Sequence, residues 1–423
     1  MTGRGRAALL LTLMLGAGIA GTACASQPGS PPTRPALAAS ASASPTGYGV
    51  VSHSEPSCTT TAAAAPALAA SATAMTAIQP AVTRAATAPA LPFGVAVSAD
   101  GRWGFAALRT TLGVFRLAAG RAPVLVRAIA LPQAIPAGIT LSPDGRLLLV
   151  ADEGSGAMVI SVAAAEAGAG NSVLGTLTAP GTQEGAIEVA VSPDGRYAFV
   201  SLEGAGRIAV FNLAAALAHG FGPGAYVGAI PTQIAPVGLA FAPDGRWLYS
   251  TSEARDMRSQ AGTLEVINVA RAESDPARSV VARVAAGCNP VRVITSGSGS
   301  VVWVTARASN VLLAFSAAAL LADPRSALLA DLAVGEAPVG LALVRDGSLI
   351  LVADSNRFNA RGQHASLAVV DVSAALAGRP ALLGYLRAGI FPRDVAANPA
   401  GTAVLVANFG SSQVESVDVA DLP

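Results

Sequence analysis

The chain has 423 residues, is 52% hydrophobic and only 13% charged, and carries a formal net charge of +1. All of its basic residues are Arg; the absence of Lys excludes Schiff-base and lysine-nucleophile chemistry. With acids and bases balanced, no electrostatic footprint for nucleic acid exists, and none is expected as a partner.

The N-terminus reads as an export signal over residues 1–23. Arg4 and Arg6 form a positive start, and "AALLLTLMLGAGIAG" is an apolar core too short for a stable membrane span. "GTAC" follows, and a cysteine after small residues resembles a bacterial lipobox, with Gly21 standing where Leu is usual. Cys24 is therefore the expected lipidation site of a cell-membrane lipoprotein, and plain secretion is the alternative; either is extracytoplasmic. Residues 24–75 are rich in Ala, Pro, Ser and Thr, cannot bury a core, and are expected to be a flexible tether. Cys58 and Cys288 are the remaining cysteines. In an oxidising compartment they invite a disulfide, with two unpaired thiols as the alternative.

From residue 76 to 423 one sentence repeats: "SADGRWGFAAL", "SPDGRLLLVAD", "SPDGRYAFVSL", "APDGRWLYSTS", "VRDGSLILVAD". Aligned on Gly101, Gly145, Gly195, Gly245, Gly299, Gly347 and Gly401, the chain divides into seven units 44 to 54 residues apart, the signature of a repeat architecture. An aliphatic residue precedes each turn (Val95, Ile139, Val189, Leu239, Val293, Leu341, Val395). A large apolar one follows it (Phe105, Leu149, Phe199, Tyr249, Trp303, Leu351, Leu405). Period-two alternation makes both flanks strands. Asp100, Asp144, Asp194 and Asp244 belong to the turns and not to a site.

A third strand ("GVFRL", "MVISV", "IAVFNL") and a fourth ("LVRAIALP", "SVVARVAAG") complete each unit. The prediction is an all-β, seven-bladed β-propeller of four-stranded antiparallel blades. A single four-stranded sheet cannot cover both of its faces, and radial stacking does so. The inner-strand column Ala96, Thr140, Ala190, Ala240, Ile294, Ala342, Ala396 is small in most units, as convergence near an axis requires. The inserts "NLAAALAHGFGPG", "FSAAALLADPRSALL" and "DVSAALAGRPALL" are expected to hold short helices. The seventh unit lacks a fourth strand, and "AIQPAVTRAAT" (77–87) is expected to supply it and close the ring.

"LVANFGSSQVESVDV" and "FVSLEGAGRIAVFNL" resemble the YVTN-type repeats of bacterial surface propellers and the broader lactonase-like seven-bladed superfamily. That resemblance implies a fold that hosts many activities, so function must be argued from the site.

In a propeller, the loops joining strands two to three and four to one share a face around the axial opening. At the start of the inner strands the column reads Gly94, Gly138, Glu188, Gly238, Arg292, Gly340, Asp394, with Arg393 beside the last. Glu188, Arg292, Arg393 and Asp394 form the candidate ligand-binding cluster; an ion-pair plug filling the channel mouth is the alternative. A weaker rim set comprises Arg109, Glu153, Glu203, Glu253, Arg307 and Asp354, with a solvated loop edge as its alternative. No catalytic residue, metal site or cofactor is assigned. His53, His219 and His364 fall outside these columns, so a general base of the usual kind is missing there. The expected role is a monomeric, non-catalytic scaffold binding an envelope protein or small ligand. A lactonase-like hydrolase or isomerase, or a metal-dependent gluconolactonase-like enzyme, is the alternative.

Overall fold

Seven four-stranded antiparallel sheets follow one another in a computed structural model that describes residues 83–423, apart from 132–133, 155, 182–183, 256–259 and 359–363. The export signal, the tether, Cys24 and Cys58 lie outside the described residues. In six blades the four strands are consecutive in the chain. In the seventh the order is Thr83–Thr87, Gln413–Val417, Val404–Asn408, Pro392–Ala397. The N-terminal strand thus completes the last blade, with Thr83 opposite Val417 and Thr87 opposite Gln413. No helix among the described residues is long and apolar enough to cross a membrane.

Each turn glycine does what the repeat requires. All seven, from Gly101 to Gly401, sit in the left-handed region at φ between 62° and 82°. The first three turns are further fixed by a serine and an aspartate: the Ser142 hydroxyl donates to Asp144 Oδ1 at 2.6 Å and accepts from the Leu147 amide at 3.0 Å. Short helices follow the third strand in blades two to six, each capped by the side chain of Ser161, Asn212, Asn268, Ser316 or Asp371. Those after Ser161 and Asn268 were not expected from the inserts; their cap residues are the signal that marks them.

The inner strand of every blade packs on the inner strand of the next, and the seventh returns to the first. The approach is close enough to demand glycine at four seams. A Cβ on Gly94 would lie 2.7 Å from the Ala137 carbonyl, on Gly138 2.5 Å from Ile187 O, on Gly238 2.6 Å from Val291 O, and on Gly340 2.7 Å from Asp394 Cα. The other three blades carry Glu188, Arg292 and Asp394 at this position. Three consecutive seams are also stitched by buried hydroxyls of the second strand: Ser201 donates to Val237 O at 3.1 Å, Thr251 to Val291 O at 2.9 Å, and Thr305 to Val339 O at 2.7 Å. Between the blades lies the core, in which Phe105, Phe199, Tyr249, Trp303, Leu351 and Leu405 are all buried as the repeat column requires.

At the seam where the chain's two ends meet, Asp394 Oδ2 accepts from the Val95 amide at 3.0 Å and Asp418 Oδ1 from Gly120 at 2.7 Å. Glu415, buried in the last blade, accepts from Asn408 Nδ2 at 2.6 Å and from the Thr83 hydroxyl of the closing strand. Arg345 donates to the carbonyls of Ala420, Leu422 and Pro423 and so holds down the C-terminal residues.

Candidate functional site

Among the cluster residues, Arg292 Nε lies 3.3 Å from Glu188 Oε2. The pair joins blade five to blade three and skips blade four, where the equivalent residue is Gly238. Both side chains are largely buried, Arg292 at 7% exposure. The Glu188 carboxyl also folds back over the Cα of Gly138, where an added Cβ would come within 2.8 Å of it. Burial pushes Glu188 up to about 7; the Arg292 charge opposes this, Asp394 adds to it, and the Val189 amide opposes it. Arg292 keeps Nη2 buried and without a hydrogen bond.

Arg393 is held differently. Its guanidinium carbon stands 3.6 Å from the Phe93 ring centre and 5.7 Å from those of Phe391 and Phe409. The three rings pack edge-on, Phe93 with Phe409 at 6.4 Å and Phe391 with Phe409 at 5.4 Å. Among the described residues, the Arg393 guanidinium makes no hydrogen bond or ion pair, and its Nε is fully enclosed. Burial first, then repulsion from Arg292, Arg357 and Arg307, pushes it down to about 9, which leaves it a cation at neutral pH. Phe391 also carries Arg357, whose guanidinium carbon is 5.3 Å from its ring centre. This phenylalanine has φ of 52°, a strained conformation for a bulky residue, and its carbonyl is pinned by the Phe409 amide at 2.9 Å.

The rim residues divide. Arg307 Nη2 pairs with Glu253 Oε2 at 2.8 Å. Glu153 and Glu203 are half-buried, and among the described residues neither carboxyl accepts a hydrogen bond or forms an ion pair. Burial is the main cause that raises both; Arg393 opposes it in each, and Glu203 also feels Glu253 and Glu153. These four groups therefore share one electrostatic neighbourhood with Arg393. Arg109 is exposed and stands apart. Asp354 is fully buried in blade six, bonded to the Gly335 amide and Ser366, and its burial holds the carboxyl well above the carboxylate range. It is a packing residue of that blade and not part of a solvated edge. Asp394 serves the seam to Val95 and lies next to the cage without entering it.

Sequence reasoning missed Arg357, Phe93 and Phe391. Phe409 was missed as well, although an aromatic ring able to stack on an arginine was the signal available.

Cys288, at 2% exposure, ends the outer strand Val280–Cys288 just before Pro290 and Arg292, and it is disulfide-bonded. Its partner is not among the described residues. Within these residues no group of three or more His, Cys, Asp or Glu is placed to hold a metal ion. On the opposite face, a cleft of about 210 Å³ lies between the blade-four turn and the helix Ala317–Ala322, lined by Trp247, Tyr249, Leu321 and Asp244.

No family model matches the chain, and no curated protein matches it. Solved structures do. A chain of Kuenenia stuttgartiensis hydrazine synthase is similar over 78% of this chain and 96% of its own, at 16% identity and a TM-score of 0.61. A chain of a mitotic checkpoint complex is similar over 81% and 92%, at 14% identity and a TM-score of 0.61. At such identities the likeness is one of fold: the protein is a seven-bladed β-propeller.

Proposed function

We propose that the protein is an extracytoplasmic binding scaffold of the YVTN or lactonase-like kind, anchored by lipid on Cys24, monomeric, and engaging its ligand at the mouth of the axial channel. One observation carries the reading: Arg393 is half-buried with its Nε enclosed and is fixed by Phe93, Phe391 and Phe409, yet no protein acceptor meets it among the described residues. A half-buried guanidinium whose Nε is enclosed and without a partner is costly in a finished core and is what a preorganised receptor supplies to a ligand. A Cys58–Cys288 bridge would tie the tether beside this mouth; non-reducing peptide mapping that recovers Cys288 joined elsewhere removes that part.

The test is native mass spectrometry of the protein after incubation with envelope extract. A bound species retained by the wild type and lost in Arg393→Gln supports the reading. Identical spectra for the two proteins overturn it.

A second reading rests on Glu188. A carboxyl near 7 beside an arginine is poised for general acid–base work in a lactonase-like hydrolase or isomerase. Lactone hydrolysis that disappears in Glu188→Gln and Arg292→Ala would establish it in place of the first.

A further inference from the structure

The charges around the mouth are sorted. Glu153 belongs to blade two, Glu188 and Glu203 to blade three, and Glu253 to blade four. Arg292 and Arg307 belong to blade five, Arg357 to blade six and Arg393 to blade seven. Of these eight groups the acids lie in blades two to four and the bases in blades five to seven; Asp394, whose carboxylate accepts from the Val95 amide, is an acid on the basic side.

Two of these acids are already matched: Glu188 with Arg292 and Glu253 with Arg307. What remains is Glu153 and Glu203 on one side, Arg357 and Arg393 on the other, none of them in an ion pair among the described residues. A simple anion drawn to Arg393 meets repulsion from Glu153 and Glu203. A simple cation drawn to the acids meets the same from the arginines. A molecule that carries both charges satisfies both halves and leaves neither exposed to like charge.

The shape of the basic side narrows the chemistry. The Phe93 ring lies 3.6 Å from the Arg393 guanidinium carbon, over its face, so hydrogen bonding is left to the edge of its plane. An edge of parallel N–H groups matches the two oxygens of a carboxylate. Arg357, sharing the Phe391 ring with Arg393, brings a second guanidinium to the same side.

We propose that the mouth is a receptor for a zwitterionic ligand of amino-acid or short-peptide type, its carboxylate on the Arg393–Arg357 side and its ammonium on the Glu203–Glu153 side. This rests on the channel-mouth reading above and names the ligand class for it.

The test uses saturation-transfer NMR on the full mature chain with three probe pools: the standard free amino acids, their N-acetyl derivatives and their amides. Free amino acids are expected to give transfer, and each singly charged pool at least ~10-fold weaker binding, the equivalent of one lost charge-assisted contact. Arg393→Gln should abolish the preference for a free carboxylate. Glu203→Gln should raise binding of the N-acetyl pool towards that of the free acids. Unchanged circular dichroism and a cooperative melt show that each variant is folded; Arg393→Lys and Glu203→Asp serve where it is not. Equal transfer from free and N-acetyl pools overturns the zwitterion while leaving a binding mouth. Silence from all pools overturns it too, and the native mass spectra then decide the broader reading separately.

Discussion

Arg292 and Glu188 form a buried ion pair at 3.3 Å that links two blades not adjacent in the ring. Removing one partner strands the other. Arg292→Ala is expected to cost about 3–5 kcal/mol in urea unfolding, because it leaves a buried carboxyl unpaired. The double variant Glu188→Gln/Arg292→Met should cost much less than the two single losses together. Additive losses would show that the pair is not coupled.

The burial of Glu188 also sets a pH dependence. Glu188 titrates at about 7 in the folded chain, against 4.5 for the free group, so the folded state holds this proton more tightly. Its contribution is therefore fully present below 4.5 and is lost as pH rises through about 7. Asp331, raised to about 6 by burial, acts in the same direction. Thermal melts should show a higher midpoint at mildly acidic than at mildly alkaline pH, and Glu188→Gln should flatten part of that slope. A midpoint that climbs with pH over this window contradicts the assignment.

The closing strand carries ring integrity. Deleting residues 24–90 removes the partner of Gln413–Val417 and leaves its edge unpaired. The product should be insoluble or lack a cooperative transition, whereas full-length Cys58→Ser should still melt cooperatively. A truncated protein melting at the wild-type temperature would show that the N-terminal strand is dispensable.

Thr305 is a smaller lever on the same ring. Its hydroxyl donates to Val339 O at 2.7 Å and accepts from the Arg292 amide at 3.2 Å. Thr305→Val keeps the volume and strands both groups, so a loss of about 1–3 kcal/mol is expected from denaturant titration. Thr251 and Ser201 do the same work one and two seams earlier. A neutral Thr305→Val would mean that the seam is held by packing alone.

The ring was legible in the sequence because its grammar is local. A turn glycine with positive φ and an alternating flank on each side recur once per blade, and each is dictated by near neighbours. The closing strand was legible for the same reason, as a missing fourth strand at one end and a spare at the other. The site was only half legible. Glu188, Arg292 and Asp394 stand out as charges in a column otherwise filled by glycine, with Arg393 beside the last. Arg357 sits in a loop of blade six outside any column and Phe93 in blade one, and only the closed ring carries them to Arg393 and its Phe391 neighbour. Asp354 shows the reverse failure: a charge at a rim position that folding turns inward, against Gly335. Spacing along the chain records which residues share a blade. It does not record which residues meet across the axis.

The caged, unpartnered Arg393 is the claim on which the functional account turns, and the Nε–H signals of arginine-labelled protein test it directly. With Phe93 at 3.6 Å, the Arg393 resonance should be strongly ring-current shifted, exchange slowly with water, vanish in Arg393→Lys, and move when the free amino-acid pool is added. A resonance at the position of a solvated arginine, in rapid exchange and unmoved by the pool, would contradict the account.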